Sequence, residues 1–217
     1  MAVKTIRVIT PKAPNLPLAP VTYEKRFHEQ LSNVLRLYFS QIDTTLESLF
    51  GITGTKTLRA PYGGFYDTAN HTAAAATVTS ITLNSTQVSN EIYIGTPTSR
   101  IYVTNAGVYN VQFSIQLSNT DSQTDDVTVW FRLNGVNIPN SASLIGVPSK
   151  HGLINGHTIL TINFMLGLVE NDYFELYWTT DLGTSSIITY PASVTSPVHP
   201  ASPAVILTAS FVSALAN

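Results

Sequence analysis

The histidines are the first candidates for chemistry, because imidazole is the commonest metal ligand and general base in proteins. The chain has five, at positions 28, 71, 151, 157 and 199. His151 and His157 are closest in sequence, but two glycines separate them and their spacing differs from the His-x-x-x-His pair of a zinc-binding helix. No carboxylate lies near this pair. We therefore expect solvated loop histidines and no metal site.

An acidic cluster is the second candidate. Asp121, Asp125 and Asp126 lie in the stretch NTDSQTDD, which has part of the spacing of a calcium-binding loop. The glycine that such a loop needs at its sharp turn is missing. An inter-strand loop kept soluble by its charges is the better interpretation, so we expect no calcium.

Motifs for catalysis or cofactor binding are missing from the sequence. The stretch GITGTKT (51–57) has the wrong glycine spacing for a phosphate-binding loop, and neither Gly-x-Ser-x-Gly nor His-Glu-x-x-His occurs. The chain has no cysteine, which excludes thiol nucleophiles and cysteine-ligated metals. No pair of carboxylates stands out for glycoside hydrolysis. The sequence therefore predicts a protein that is not an enzyme and that has no cofactor.

The composition indicates a protein whose surface is covered by a partner or that associates with copies of itself. Of 217 residues only 11% are charged, against about a quarter in ordinary soluble proteins, and the formal net charge is -2. A general nucleic-acid binder would be basic, so that class is excluded. No apolar stretch is long enough to cross a membrane, and the proline-rich start does not resemble a signal peptide. We expect no membrane partner.

Charge is distributed unevenly, which suggests that two parts of the chain face different surroundings. Residues 1–60 hold eight basic side chains against four acidic ones, and the remainder is acidic. Residues 1–21 form a basic arm in which prolines at 11, 14, 17 and 20 favour an extended conformation. A disordered tail is the alternative. We expect this arm to anchor the chain to an apolar, acidic groove of a partner through Lys4, Ile6, Arg7, Val8, Ile9 and Lys12.

Residues 22–50 carry the pattern of one long amphipathic α-helix. Apolar side chains recur at steps of three and four, Pro20 precedes the segment and Gly51 follows it. A stripe of this length must be buried against copies of itself, against a host surface or against the rest of the chain. We expect self-association or docking through Phe27, Leu31, Val34, Tyr38, Ile42, Leu46 and Leu49.

The rest of the chain predicts a linker followed by β-structure. Residues 51–80 are rich in glycine and alanine, as linkers are. From residue 81 to 217 apolar residues alternate in runs that are separated by turn residues such as Asn134-Gly135. The five clear runs are 109–117, 127–133, 160–168, 174–178 and 205–211, and the four shorter ones are 81–83, 91–94, 100–103 and 187–190. About nine short antiparallel strands predict a two-sheet sandwich, most plausibly a jelly roll. The fold class is therefore mainly β, an antiparallel jelly-roll sandwich preceded by an extended arm and one long helix.

Four segments of the β region resemble a known family. They are RIYVTNAGVYNVQFSIQL (100–117), VTVWFRLNGVNI (127–138), INFMLGLVENDYFELYW (162–178) and AVILTASFVSAL (204–215). Their order is similar to that in the jelly roll shared by tumour necrosis factor and the globular heads of complement. Residues 106–109 match the family's Ala-Gly-x-Tyr motif, and residues 168–176 match its later hairpin with Asn171 in place of glycine. Asparagine tolerates positive φ well, so the turn should survive. The resemblance implies a trimer with an aromatic face and no enzymatic activity.

The N-terminal organisation resembles structural proteins of tailed bacteriophages. The features that carry this resemblance are the proline-rich start, the stretch RFHEQLSNVLRLYF (26–39) and the stretch PYGGFYD (61–67) before a jelly roll. It implies a virion component, made in the bacterial cytoplasm, whose first third anchors and whose remainder projects.

Tyrosines on the predicted strands form the last signal. Tyr93, Tyr102, Tyr173 and Tyr177 would lie opposite the core-facing side chains, where they could form a trimer interface or a platform for sugars. Two functions follow. The favoured one is a homotrimeric capsid decoration or cement protein bound to the major capsid protein or to a tail component. The alternative is a tail or fibre module that recognises a host surface glycan.

Overall fold

The computed structural model describes residues 11–18, 20–50 and 60–215, with only the backbone described for 48–50. The chain divides into two compact units, Met1–Arg59 and Ala60–Asn217. The first unit contains the helix and the second contains every described strand. The predicted fold class is confirmed: antiparallel sheets follow an N-terminal arm and one helix.

The helix, α1, spans Lys25–Phe50 and so begins three residues after the predicted Thr22. The Glu24 carbonyl accepts hydrogen bonds from the backbone N–H groups of Phe27 (3.1 Å) and His28 (3.4 Å), so Glu24 lies just before the first turn. None of the helix side chains described is buried. The apolar stripe therefore remains partly accessible along the described part of the helix.

Fourteen strands form the second unit. In chain order they are β1 Tyr62–Asp67, β2 His71–Thr72, β3 Thr79–Ser80, β4 Ser85–Asn90, β5 Ile92–Ile94, β6 Ile101–Val103, β7 Gly107–Asn119, β8 Asp125–Leu133, β9 Val136–Asn137, β10 Ser143–Val147, β11 Gly156–Leu168, β12 Tyr173–Thr180, β13 Ser185–Ile187 and β14 Val205–Ser213. The five clear runs of the sequence correspond to β7, β8, β11, β12 and β14.

Two sheets hold these strands. The first has the order β11-β7-β14-β1-β4, with β13 and β2 continuing beside the end of β7, and the second has the order β10-β8-β12-β6-β5. The eight principal strands, in chain order, are β1, β5 together with β6, β7, β8, β10, β11, β12 and β14. Numbered in this way, the first sheet reads 1-8-3-6 and the second reads 2-7-4-5. This is the double Greek key of a jelly roll. Its side strand β11 pairs with β7 over all thirteen residues.

The core between the sheets is built from the alternation that the sequence shows. Phe131 of the second sheet is fully buried and its ring lies 5.5 Å from Phe113 and 5.6 Å from Phe164, both in the first sheet. The ring of Phe174, on the neighbouring strand, lies 6.3 Å away. Burying each such ring contributes about 2–3 kcal/mol, so these contacts join the sheets.

The prediction that residues 51–80 form a linker is wrong for residues 60–80, which contain β1, β2 and β3. Strand β1 pairs with β4 on one side and meets β14 on the other, so it lies inside the first sheet. Gly63 and Gly64, which suggested flexibility, are buried in this strand, and the register shifts between Gly64 and Phe65. Glycine in a strand often marks such a bulge or a close approach. Residues 51–59 lie outside the described part.

The shorter predicted strands need smaller corrections. Residues 81–83 form no strand, yet Ile81 and Leu83 are buried, and the Ile81 N–H donates to the Leu176 carbonyl at 2.8 Å. The last short strand ends at Ile187 and does not reach Tyr190. The expected backbone at Asn171 is confirmed, because its φ is 66°.

Candidate functional site

The structure brings the four predicted tyrosines to the outward side of the second sheet, and we call them the tyrosine face (Tyr93, Tyr102, Tyr173 and Tyr177). Tyr102 lies directly across the strand ladder from Tyr93 on one side and from Tyr173 on the other. The ring centroids are 5.5 Å apart in the first pair and 5.2 Å in the second. Such separations are those of favourable aromatic pairs. The rings of Tyr93, Tyr102 and Tyr173 therefore form a continuous row, and Tyr177 lies further along β12.

Two arginines lie against the tyrosine face. The guanidinium carbon of Arg100 is 4.4 Å from the ring centroid of Tyr173, and that of Arg132 is 3.8 Å from the ring centroid of Tyr177. Cations at these distances are attracted by the π-electrons of the ring. Two of the three basic residues that follow residue 60 are thus held on this face.

A buried carboxylate lies beneath this layer. Glu175 is only 4% exposed although it shares the outward side with Tyr173 and Tyr177. Its Oε1 accepts a hydrogen bond from the Ser99 hydroxyl at 2.6 Å and lies 3.7 Å from Nε of Arg100. The charge of Glu175 is therefore balanced within the site.

A hydrogen-bonded corner completes the face. The side-chain oxygen of Asn137 accepts hydrogen bonds from Nε1 of Trp130 (2.9 Å) and from Nε of Arg132 (2.6 Å). Trp130 lies across the ladder from Tyr177, with the ring centroids 6.2 Å apart. These bonds orient the indole and the guanidinium before any partner arrives, which lowers the entropy cost of association.

The residue types of this face are those found in binding interfaces. Tyrosine, tryptophan and arginine are the residues that dominate the binding energy of protein interfaces. Tyr93 is 46% exposed and the other three tyrosines are partly buried, so their rings present a preformed aromatic surface. Sequence reasoning missed Arg100, Trp130, Arg132 and Glu175. Residues 130 and 132 alternate with the core residues of β8, and that parity could have placed them on the outward side.

The acidic cluster turns out to contain a structural clamp. Asp125 is fully buried at the start of β8, so the expectation of a solvated loop is wrong for this residue. Its carboxylate accepts hydrogen bonds from the Thr180 hydroxyl (2.5 Å) and from the N–H groups of Leu182 (2.9 Å) and Ser185 (2.8 Å). Burial alone would raise the pKa of Asp125, but these hydrogen bonds outweigh it and lower the pKa to about 2. Asp125 therefore joins β8 to the turn before β13.

The histidines do not converge. His151 is exposed in a turn, whereas His157 belongs to β11 rather than to a loop. Nε2 of His71 lies 3.3 Å from the buried carboxylate of Asp67, and burial lowers the pKa of His71 while Asp67 partly raises it. Within the described ranges, no three histidine or acidic side chains are grouped so that they could hold a metal ion.

The predicted anchoring residues belong to the first unit. Lys4, Ile6, Arg7, Val8 and Ile9 lie outside the described residues, and Lys12 is exposed. The side chains of the helix stripe from Phe27 to Ile42 are partly exposed, and Leu46 is 45% exposed. The side chain of Leu49 is not among those described. The described helix lacks the combination of length and apolar content that crossing a membrane requires.

The chain matches no protein-family model and has no significant match among curated proteins.

Proposed function

We propose that the protein is a structural component of a bacteriophage virion, a homotrimeric capsid decoration or cement protein. Its arm and helix bind other virion proteins, and the jelly roll projects from the particle. The observation that carries the association is the tyrosine face, in which three rings form a row and an arginine lies on Tyr173 and another on Tyr177. The virion setting is supported by the N-terminal sequence resemblance and the trimer by the resemblance of the β region.

The charges of the second unit favour association through this face. Arg100 and Arg132 lie over aromatic rings, and Glu175 accepts a hydrogen bond from the Ser99 hydroxyl. A partner covering the face would therefore meet guanidinium groups that already lie on rings and a carboxylate that already has a hydroxyl and an arginine beside it. Burying unpaired charges is the main penalty in an interface, and this arrangement reduces it.

The described part of the helix supports an anchoring role for the first unit. Its apolar stripe is partly exposed, and among the side chains described on this helix the only ion pair, Lys25 to Glu29 at 3.6 Å, is exposed to solvent. Exposed pairs of this kind contribute at most about 1 kcal/mol. Burial of the stripe against a neighbouring virion protein would therefore supply most of the binding free energy.

Sedimentation velocity on the full chain tests the association. We expect a trimer at micromolar concentration and its dissociation by Tyr93→Glu, which places an unpaired charge in the tyrosine face. Tyr62→Glu is the matched control, because Tyr62 is 47% exposed and lies on β1 of the other sheet. A monomeric wild-type chain would contradict the association. If the trimer survives Tyr93→Glu but dissociates with Ile159→Lys, the interface lies instead at β11, the side strand of the first sheet.

The virion role has a test of its own. Quantitative mass spectrometry of purified particles should find this chain in hundreds of copies, as expected of a decoration protein. One or two dozen copies would instead indicate the tail or fibre module. Absence from the particles would contradict both.

A further inference from the structure

A cleft opens on the outward side of the first sheet. Its volume is about 620 Å³, within the range of sites that enclose a small ligand. Tyr66 of β1 and Ile206 of β14 contribute to its floor in the sheet, and Gln87 comes from β4. The segment between β13 and β14 contributes Tyr190, Pro191 and Pro203. Four regions distant in sequence thus meet here.

The wall that carries Tyr190 is held in place by hydrogen bonds. Tyr190 and Ser202 exchange two backbone hydrogen bonds, of 2.9 and 2.8 Å. The side-chain amide of Gln116 donates to the Ser202 hydroxyl and to the Pro203 carbonyl. The neighbouring Thr189 donates from its N–H (2.8 Å) and its hydroxyl (3.1 Å) to Asn70. The cleft is therefore preformed, so a ligand does not have to order the wall.

The lining mixes apolar and polar groups and carries no charge. None of its ten residues is acidic or basic. Across the strands of the first sheet the only carboxylate is that of Asp67, which is 1% exposed, and no lysine or arginine occurs. The two histidines of these strands, His71 and His157, do not line the cleft. A charged ligand would lose its hydration here without gaining a counter-charge. The lining therefore selects for a neutral ligand.

Free hydrogen-bonding groups exclude a purely apolar ligand. Among the described residues, the hydroxyls of Tyr66 and Tyr190 and the amide of Gln87 make no side-chain hydrogen bond. Covering these groups with hydrocarbon would leave them unpaired at a cost of about 1–3 kcal/mol each. Burial raises the pKa of Tyr190 above that of an ordinary tyrosine, which is itself protonated at neutral pH, so its hydroxyl can donate. The ligand must offer hydrogen-bonding groups beside apolar surface.

We propose that this cleft binds a neutral saccharide. Sugars combine C–H faces, which pack on aromatic rings and prolines, with hydroxyls that both donate and accept hydrogen bonds. The tyrosine rings with Pro191, Pro203 and Ile206 supply the apolar contacts. The hydroxyls of Tyr66 and Tyr190 and the amide of Gln87 supply the polar ones. The cleft lies on the first sheet, whereas the proposed association uses the tyrosine face of the second sheet, so the two proposals concern different surfaces.

Saturation-transfer NMR on the full chain tests the proposal with neutral disaccharides of gluco, galacto, manno and N-acetylglucosamine type. Sialyllactose and a sulfated disaccharide are measured beside them as charged sugars. We expect at least one neutral sugar to bind and neither charged sugar to bind more tightly. In titrations with the bound sugar, Tyr66→Phe and Tyr190→Phe should each weaken affinity about tenfold, the loss of one good hydrogen bond.

Tyr62→Phe is the matched control, because it removes a tyrosine hydroxyl from the same strand as Tyr66 but outside the cleft. Its affinity should equal that of the wild type. The proposal is overturned if no neutral sugar binds, if a charged sugar binds best, or if affinity is unchanged in Tyr66→Phe and Tyr190→Phe. These outcomes leave the oligomeric state of the chain untouched, so they are separate from a failure of the proposed function.

Discussion

Arg132 of β8 reaches diagonally to the neighbouring strand β12, where its guanidinium carbon lies 3.8 Å from the ring centroid of Tyr177. In the ladder Arg132 faces Glu175, and Tyr177 faces Trp130, so the contact joins residues that are not directly opposed. Diagonal pairs of this kind are within reach of long and aromatic side chains. Asn137 accepts the hydrogen bond from Nε of Arg132 that holds it there.

Breaking this contact should destabilise the second unit measurably. We expect Arg132→Ala to lower the free energy of unfolding by about 1–2 kcal/mol, because it removes the contact with the ring and the hydrogen bond to Asn137. Urea denaturation of Arg132→Ala, Tyr177→Leu and the double variant gives the coupling between the two side chains. A coupling of about 0.5–1 kcal/mol is expected. Additive effects would mean that the two side chains stabilise the protein independently.

The carboxylate of Asp125 should make stability depend on acid. Its pKa in the folded protein, about 2, lies below the ordinary 3.8, so the stabilisation is complete above pH 4 and is lost as the pH falls towards 2. The shift corresponds to about 2 kcal/mol. Urea denaturation at pH 5, 3 and 2 should show this loss in the wild type. Asp125→Asn should be less stable at pH 5 and lose less on acidification.

Asp121→Asn is the matched control for that experiment. Asp121 lies in the same acidic cluster but is only partly buried, and its Oδ1 accepts hydrogen bonds from the Gln123 N–H at 2.9 Å and from the Ser122 hydroxyl at 3.4 Å. Its acid dependence should follow that of the wild type. If Asp125→Asn also retains the full dependence, other groups carry the acid sensitivity.

The two glycines of β1 should differ sharply in their tolerance of a methyl group. A Cβ on Gly63 would lie 2.5 Å from the buried ring of Phe65 and 3.2 Å from Cβ of Ile92, whereas one on Gly64 would meet Val88 at 3.4 Å, an ordinary contact. We therefore expect Gly63→Ala to lower the free energy of unfolding by about 1–3 kcal/mol. Gly64→Ala should change it by under about 1 kcal/mol. Thermal unfolding measures both, and equal effects would show that β1 is loosely packed.

These glycines also show why part of the fold escapes sequence reasoning. The runs of β7 and β12 could be predicted because alternate residues, such as Val111 and Phe113, face the core. Gly63 and Gly64 contribute no apolar side chain, so β1 has the composition of a linker although it lies in the middle of a sheet. Only the close approach of Phe65 and Ile92 reveals that a side chain would not fit.

The sites depend on the sequence to different degrees. The tyrosines share a face because strand alternation is local, so that part of the candidate site could be predicted. The stacking of Arg100 on Tyr173 requires strand pairing, which one sequence does not specify. The cleft joins Tyr66, Gln87 and Tyr190, and no local pattern links these positions. Long-range topology decides such sites.

The apolar stripe of α1 should carry attachment to the particle. We expect Leu31→Ser, within the stripe, to weaken binding to particles that lack this protein by about 30-fold, because one leucine loses its burial in the partner. Leu37→Ser is the matched control: Leu37 belongs to the same helix, is 63% exposed and lies away from the stripe. Co-sedimentation measures both affinities. Neither change should alter unfolding of the β unit, because neither side chain is buried.

Apolar burial also predicts that binding persists in molar salt, which screens surface charges over about 3 Å. Release by salt alone, together with full binding of Leu31→Ser, would show that the basic side chains hold the protein in place.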